Sequence, residues 1–258
     1  MARIARSVVL ILFAVALVGG CSTLEVSEKD SPQVILDKAR RARDGGLYSQ
    51  AIDSYQRLES LYPYSREALQ AQLMTAYTYY LKGDALPAVH AAERFIRLHP
   101  RNPHVDYALY LKGIAHYAQI GKADRDPEPA RKAIESFSQL IRRQPDSPYA
   151  PDAMRRMAKA DRLLARHELH AARFYLDRQA YVAAVNRCSR VLTEHARGPA
   201  TAPALGVMAR AYARLGLDQL ARETLAILAH NYPDSPQVPA TRSAVEGANV
   251  IGGADPDA

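Results

Sequence analysis

The sequence predicts an all-α protein, a solenoid of five consecutive helix pairs, and three regularities support that prediction. An alanine is followed twelve residues later by a proline in four places, and a fifth place keeps the spacing with alanine instead of proline. A large apolar residue comes seven residues after each of these alanines. Three of the segments that follow start with a polar residue and a proline. The spacing pairs are Ala51/Pro63, Ala88/Pro100, Ala133/Pro145, Ala184/Ala196 and Ala221/Pro233. The apolar residues are Leu58, Phe95, Leu140, Val191 and Leu228.

Each position in this pattern has a physical reason. A small alanine lets the second helix of a pair approach the first closely, and a residue two turns further lies on the same face. Proline cannot continue a helix, so it ends the pair. A polar N-cap followed by proline suits the first turn of the next pair. The predicted starts of this kind are Asn102-Pro103, Ser147-Pro148 and Ser235-Pro236.

Taken in order, the pairs are expected at about 31–63, 65–100, 103–145, 148–196 and 201–233, with a short capping helix after Pro236. The offsets resemble the tetratricopeptide repeat, a helix–turn–helix unit of about 34 residues. Residues 119–129 insert a polar loop into the third pair. Residues 148–178 read as one long helix, which we expect to be a spine joining the first two pairs to the last two. The tail 247–258 has no apolar period and is expected to be disordered.

The amino terminus predicts export and lipidation. Arg3 and Arg6 precede an apolar run from Val8 to Val18, which has the layout of a signal peptide and is too short to span a bilayer. The following Gly19-Gly20-Cys21 resembles a bacterial lipobox. Residues 1–20 are therefore the predicted signal peptide, Cys21 carries the acyl chains, palmitate among them, and 21–30 form a tether. The alternative is an ordinary signal peptide with an incidental cysteine.

The charge of the chain limits the chemical class of its partners, and its cysteine content bears on disulfide formation. The net charge is +7, and removal of the signal peptide leaves 32 basic against 27 acidic residues. For an exported protein this excess predicts acidic protein surfaces or anionic lipid as partners, and no nucleic acid. With Cys21 lipidated, Cys188 stands alone at an apolar repeat position, which predicts a buried small hydrophobe without a disulfide.

The chain offers little that could carry chemistry. His167-Glu168-Leu169-His170 has its histidines three apart instead of the four that a zincin helix needs, so a surface or packing role is predicted and no metal. Asp124-Arg125-Asp126 reads as a salt-bridged loop before a helix that starts at Pro127. We therefore predict a non-enzyme without cofactors, and a binding scaffold for another polypeptide.

Tyrosines supply the candidate contact residues of the first two pairs. Tyrosine is favoured in recognition surfaces because it combines flat apolar area with a hydroxyl group. Tyr55 and Tyr79 occupy repeat core positions and are assigned to packing, whereas Tyr48, Tyr62 and Tyr64 fall at turns and are candidate contacts. The full set is Tyr48, Tyr55, Tyr62, Tyr64, Tyr77, Tyr79 and Tyr80.

Several short segments are more specific than a generic repeat requires. They are Tyr62-Pro63-Tyr64-Ser65, Gln70-Ala71-Gln72-Leu73, residues 94–100 (RFIRLHP), Val105-Asp106-Tyr107, Asp124-Arg125-Asp126-Pro127, Asp161-Arg162-Leu163 and residues 181–187 (YVAAVNR). With the lipobox and the five repeats, they resemble the BamD family, a lipoprotein component of the outer-membrane β-barrel assembly machinery. The resemblance runs from the lipobox to about Pro236.

The resemblance implies a lipid-anchored scaffold on the periplasmic face of the outer membrane. It implies that repeats within 31–145 bind unfolded outer-membrane proteins, with Tyr62 and Arg97 on the binding face, beside Tyr48 and Tyr64. It also implies that 146–246, including the capping helix, binds the periplasmic domains of BamA, with Arg187 at the contact. BamC is an implied partner in some lineages, although the short loop at 119–129 departs from relatives that would contact BamC there.

Two other classes remain as alternatives. Another lipid-anchored adaptor, such as a pilotin of a secretion or pilus system, would share the lipobox and the repeats but not the Asp124–Pro127 or Asn186-Arg187 segments. A peptidoglycan-cleaving transglycosylase on a helical scaffold would need a catalytic module, for which the five repeats leave no residues.

Overall fold

The computed structural model describes residues 26–121, 126–196 and 198–252, and these ranges form eleven α-helices and no strand. Ten of the helices make five antiparallel pairs, and α11 follows the last pair. The pairs are α1 Pro32–Asp44 with α2 Tyr48–Leu61, α3 Arg66–Lys82 with α4 Ala85–Leu98, α5 Val105–Ala118 with α6 Glu128–Arg143, α7 Ala150–Asp177 with α8 Tyr181–Glu194, and α9 Thr201–Arg214 with α10 Asp218–Asn231. Helix α11 is Gln237–Gly252.

The repeated spacing marks the core of every pair. All five spacing alanines have no exposed surface, and the five apolar residues seven positions later are at most 1% exposed. Tyr55 is also fully buried, as its core assignment required, and Tyr79 is half-buried. The prediction of an all-α solenoid of five helix pairs is confirmed.

The second helix of each pair ends in the same backbone conformation. The C-cap residues have φ between −129° and −142°, and each donates its N–H to the carbonyl four residues earlier. They are Tyr62, His99, Gln144, His195 and Tyr232. A residue before proline is pushed out of the helical region by the ring, which explains four of the five. His195 adopts the same conformation before Ala196, so at that residue the backbone conformation follows from the position in the repeat and not from a proline.

The predicted polar N-caps need a correction. Ser31 and Ser65 do cap α1 and α3, accepting bonds from the N–H groups of Val34 and Ala68. The three polar residues before proline instead stand ahead of their helices, which begin two or three residues later. Each accepts a bond from the N–H two residues on: Asn102 from His104 at 2.9 Å, Ser147 from Tyr149 and Ser235 from Gln237 at 3.3 Å each. These short side-chain turns lead into the helix and do not cap it.

The turn inside four of the pairs uses a left-handed residue. Gly46, Gly83 and Gly216 have φ between 72° and 89°, and Gln179 takes the same place with φ of 62°. In each case the next N–H bonds back to a carbonyl of the first helix, as in a Schellman C-cap. Only glycine adopts this conformation without a steric cost, so Gln179 is strained.

Replacing Gln179 with glycine should therefore stabilise the fourth pair. We expect the free energy of unfolding to rise by about 1 kcal/mol, because the steric cost of the left-handed conformation is removed. Chemical denaturation followed by circular dichroism measures the change. The opposite substitution at the equivalent position, Gly216→Gln, should destabilise by a similar amount, and equal midpoints for both variants would show that the turn is unstrained.

The chain divides into two compact units, unit 1 up to Pro100 and unit 2 from Arg101 onward. By packing, the third pair thus belongs to unit 2 with the last two, while the division into two binding halves at 145/146 stays a prediction. The reason is that α7, at 28 residues, packs on α5 and α6 as well as on α8 and α9. The predicted long helix exists, but all the helices that it contacts in the described ranges lie in unit 2. Helix α7 therefore packs pairs three to five against one another. The prediction that it joins the first two pairs to the last two is corrected accordingly.

The carboxyl-terminal prediction is corrected in part. Helix α11 continues through Gly252, so residues 247–252, expected in a disordered tail, are helical. The segment contains no proline, and helix propagation from the packed turns before it costs little. Residues 253–258 lie outside the described ranges. No helix of the described chain is long and apolar enough to cross a membrane.

Candidate interaction surfaces

The predicted contact residues of unit 1 lie at opposite ends of its helices. Helices α1 and α3 begin, and α2 and α4 finish, at one end, which we call the tether end: residues 26–31, 62–66 and 97–100. Tyr62, Tyr64 and Arg97 lie there. Tyr48 opens the 14-residue α2 at the far end, about 20 Å away. The structure therefore brings three of the four residues to the same end and leaves Tyr48 apart.

Tyr62 is a fastening residue of the first pair. Its ring packs against the apolar core between α1 and α2, and its hydroxyl donates to the carbonyl oxygen of Asp30 at 2.9 Å. Equivalent C-cap side chains make similar links: His99 with Gln72 at 2.9 Å, Gln144 with the Pro103 carbonyl at 3.3 Å, and His195 with Asp161 at 2.7 Å. The Tyr62 hydroxyl is thus already engaged, so only part of the ring is left for a ligand.

Tyr64 and Arg97 are open to solvent. The ring of Tyr64 is fully exposed. The Arg97 side chain is 69% exposed, and its Nη1 lies 3.9 Å from a carboxylate oxygen of Glu93 one turn away. An exposed ion pair of that length stabilises little, so Arg97 can exchange this partner for another carboxylate.

A groove of about 380 Å³ opens between α2, α3 and α4. Arg94 reaches across it and donates from Nη1 to Glu59 Oε2 at 2.9 Å and from Nη2 to the second oxygen of that carboxylate. This hydrogen bonding raises the pKa of the Arg94 guanidinium. Glu59 also accepts from Gln72 at 3.1 Å. The charged and amide groups of Glu59, Arg94 and Gln72 in the groove are therefore paired with one another, and most of the lining surface is apolar, with Phe95 and Tyr79 as aromatic residues.

Unit 2 contains a buried carboxylate surrounded by three arginines. Glu168 on α7 is 2% exposed, and its Oε2 accepts from Arg187 Nη1 at 3.0 Å. Its Oε1 lies 3.5 Å from Arg190 on α8 and 3.6 Å from Arg131 on α6. We call Arg131, Arg187 and Arg190 the arginine cluster.

The arginine cluster carries more positive charge than Glu168 neutralises. One carboxylate has two oxygens, whereas each guanidinium has five N–H donors. The three side chains remain 47%, 31% and 51% exposed, in chain order, so the unmatched donors face solvent. The hydrogen bond that Arg187 donates to Glu168 raises the pKa of the Arg187 guanidinium, which lies 5.9 Å from the ring centre of Tyr175. This geometry holds Arg187 in place and leaves it able to bind a second acidic group.

In the sequence, Glu168 stood out only as part of the His-Glu-Leu-His segment, for which no metal was predicted. The side chains of this segment do not face one common site, because Glu168 is buried among arginines while His170 is exposed. No group of three metal-binding side chains occurs in the described part of the chain. A signal for the arginine cluster did exist, because Glu168 stands in the buried stripe of α7 formed by Leu164, Ala165, Leu169 and Ala172. A charge in such a stripe needs a partner.

A second polar cluster, missed by the sequence, ties α5 to α7. The rings of Tyr110 and Tyr149 stack at 5.0 Å, and the Tyr110 hydroxyl donates to Asp152 at 2.7 Å. Burial, together with this bond, raises the pKa of Tyr110 to about 12. Hydrogen bonds from Arg156 and Tyr110 lower the pKa of Asp152 to about 2. The partners are about forty residues apart in the chain, so no local pattern shows them.

The remaining predicted residues are either buried or outside the description. Cys188 is buried, and burial raises the pKa of its thiol to about 12, so it packs as a hydrophobe. Cys21, and residues 122–125 of the loop in the third pair, lie outside the described ranges.

The model of the family YfiO, described as an outer membrane lipoprotein, matches residues 28–228. The outer membrane protein assembly factor BamD of Neisseria meningitidis serogroup A is 37% identical over 88% of this chain and 92% of its own. The protein of the same name from Vibrio cholerae is 35% identical, and the match covers 85% of this chain and 96% of the relative. A TPR2AB-domain structure of yeast Sti1 aligns with a TM-score of 0.43 at 14% identity over 84% of each chain.

Proposed function

The chain belongs to the YfiO family of outer membrane lipoproteins, and from that premise we propose that it is a non-enzymatic scaffold of the β-barrel assembly machinery. The observation that carries the proposal is the extent of the similarity. At 37% identity it covers 88% of the chain and so includes both units and the residues of the arginine cluster. The relatives named as assembly factors do not favour the pilotin alternative.

We place the protein on the periplasmic face of the outer membrane, anchored by acyl chains on Cys21. The apolar run before Cys21 and the lipobox support this placement. The excess of basic residues suits an environment of anionic lipid and acidic protein surfaces.

For the contact with the periplasmic domains of BamA we propose the arginine cluster, with Arg187 at its centre. The support is electrostatic and geometric. Glu168 fixes the guanidinium of Arg187 from the buried side, while the surplus N–H donors face outward. A carboxylate on the partner would complete a second charge-assisted hydrogen bond. We also propose BamC as a further partner.

For unfolded outer-membrane proteins we propose a contact in unit 1 that includes Arg97 and the exposed edge of Tyr62. Arg97 is the better supported of the two, since its side chain is exposed and its ion pair with Glu93 is long. The substrate strand would present an aromatic side chain and a carboxylate, which an aromatic ring beside a guanidinium can bind.

The test of the function is a pull-down from detergent-solubilised outer membranes with a C-terminally tagged chain. Recovery of a large, heat-modifiable barrel protein supports the proposal. Recovery of a secretin, or of no partner from a correctly anchored protein, overturns it. The Cys21→Ala variant is the control for anchoring, because it should remain in the periplasmic fraction.

The substrate contact makes a prediction of its own. Arg97→Ala should reduce crosslinking to a peptide with the C-terminal strand of a barrel protein by about tenfold, because one charge-assisted hydrogen bond is lost. BamA recovery should be unchanged. Adding Tyr62→Ala should reduce crosslinking further but also lower the melting temperature, because Tyr62 fastens α1 to α2. Arg101→Ala, a matched exposed arginine, is the control; equal crosslinking for Arg97→Ala and Arg101→Ala would move the peptide site elsewhere.

A further inference from the structure

The tether fixes how far unit 1 can lie from the membrane, given the lipidation of Cys21 proposed above. Five peptide units separate Cys21 from Val26, and a fully extended chain spans at most about 3.5 Å per residue, or about 17 Å in all. Val26 itself packs against the apolar core of the first pair. Val26, which belongs to the tether end of unit 1, must therefore lie within about 17 Å of the lipidated residue.

The tether is attached to both helices of the first pair. Asp30 pairs with Lys38 of α1 at 2.7 Å and accepts from the N–H of Ser27 at 2.8 Å. Its carbonyl receives the Tyr62 hydroxyl at the end of α2. Glu28 pairs with Arg57 of α2 at 3.0 Å. These contacts hold residues 27–30 against both helices, so the anchor is linked through a short segment to the end of unit 1 that carries the loop after Tyr62.

The side chains that this end presents suit a lipid headgroup region. Tyr64 is fully exposed and Leu98 is 54% exposed. Lys29 and Arg66 are exposed cations, while Asp30 and Glu28 are already paired with Lys38 and Arg57. Tyrosine is enriched at membrane interfaces because its ring is apolar and its hydroxyl is polar. Basic side chains within a Debye length of an anionic surface add attraction.

We propose that the tether end of unit 1 lies against the headgroups of the anchoring membrane, with the ring of Tyr64 in the interface. The acyl chains and this surface then make two attachments, and the helices of unit 1 point away from the membrane. The role of Tyr64 in this arrangement is lipid contact and not the substrate contact that the sequence predicted for it.

A single tryptophan can test the depth of this position, because the chain contains none. The lipidated full-length Tyr64→Trp protein is reconstituted into vesicles of phosphatidylethanolamine and phosphatidylglycerol with brominated acyl chains. Its emission should shift to the blue and be quenched by at least half. Leu86→Trp is the matched control: Leu86 is 60% exposed in the first turn of α4, at the far end of unit 1, and should be unquenched.

The outcomes separate this inference from the function on which it rests. Attachment to vesicles with position 64 no more quenched than position 86 overturns the inference and leaves the anchor intact. Failure of the protein to attach overturns both. The Cys21→Ala version of the Tyr64→Trp protein is also mixed with a barrel-strand peptide in the absence of vesicles. If its tryptophan emission then shifts, Tyr64 belongs to the substrate contact and the inference is overturned.

Discussion

The Arg187→Glu variant is expected to lose BamA from the pull-down, with recovery reduced more than tenfold. The substitution reverses the charge at the centre of the arginine cluster and places a carboxylate where we propose that an acidic group of the partner binds. Truncating or reversing a desolvated interfacial charge costs about 2 kcal/mol or more, and about 1.4 kcal/mol corresponds to a tenfold change in affinity. Recovery of the barrel protein, measured against the wild-type tag, gives the result.

The same substitution also acts within the chain, so its effect must be separated from unfolding. A glutamate at 187 would face Glu168, whose only remaining partners in the described ranges would be Arg131 and Arg190 at 3.6 and 3.5 Å. Arg187→Gln avoids this repulsion and should still weaken recovery severalfold. Circular dichroism should show both variants folded. Arg222→Glu reverses an exposed charge on α10 of the same unit and should leave recovery unchanged. Full recovery with folded Arg187→Glu would assign Arg187 to the internal ion pairs alone.

The second large effect is expected at Gly113, where α5 meets α6. A Cβ at this position would lie 2.3 Å from Cε1 and 2.5 Å from Cδ1 of Phe137. The ring is fully buried. Gly113→Ala should lower the free energy of unfolding by about 2 kcal/mol, because overpacking forces side chains and backbone to shift. A thermal melt should show a loss of about 5 °C for a unit of this size.

Two further variants make this interpretation specific. Phe137→Leu removes the ring atoms that clash, so the double variant should be less destabilised than the sum of the two single changes. Gly247→Ala is the helical control, because its Cβ would meet no atom within 4 Å. It should stabilise α11 by about 0.5–1 kcal/mol through helix propensity. If Gly113→Ala also stabilised the protein, the tight contact between α5 and Phe137 would be refuted.

The repeat could be predicted from sequence because its signal is local. Ala88 and Phe95 are seven positions apart on one helix, and both are buried because a two-turn spacing keeps them on one face. The helix ends were also local, since a residue before proline avoids the helical region. The extent of α11 was missed because glycine weakens a helix without ending it.

The candidate sites could be predicted only as single residues. Arg187 was expected at a partner contact, but its neighbours Glu168 and Arg131 come from α7 and α6 and are brought together by packing. Tyr48 and Tyr62 looked equivalent as turn tyrosines, yet they stand at opposite ends of α2, and Tyr62 has its hydroxyl engaged by the tether.

The fold class, the order of the helices and the core residues of each pair follow from local patterns, because periodicity and proline act over a few residues. Tertiary structure decided that the third pair belongs to unit 2, that Glu168 organises three arginines, and that Tyr64 is exposed beside the tether. These features depend on which distant helices meet. That outcome is set by the packing of whole faces and by the need to neutralise a buried charge.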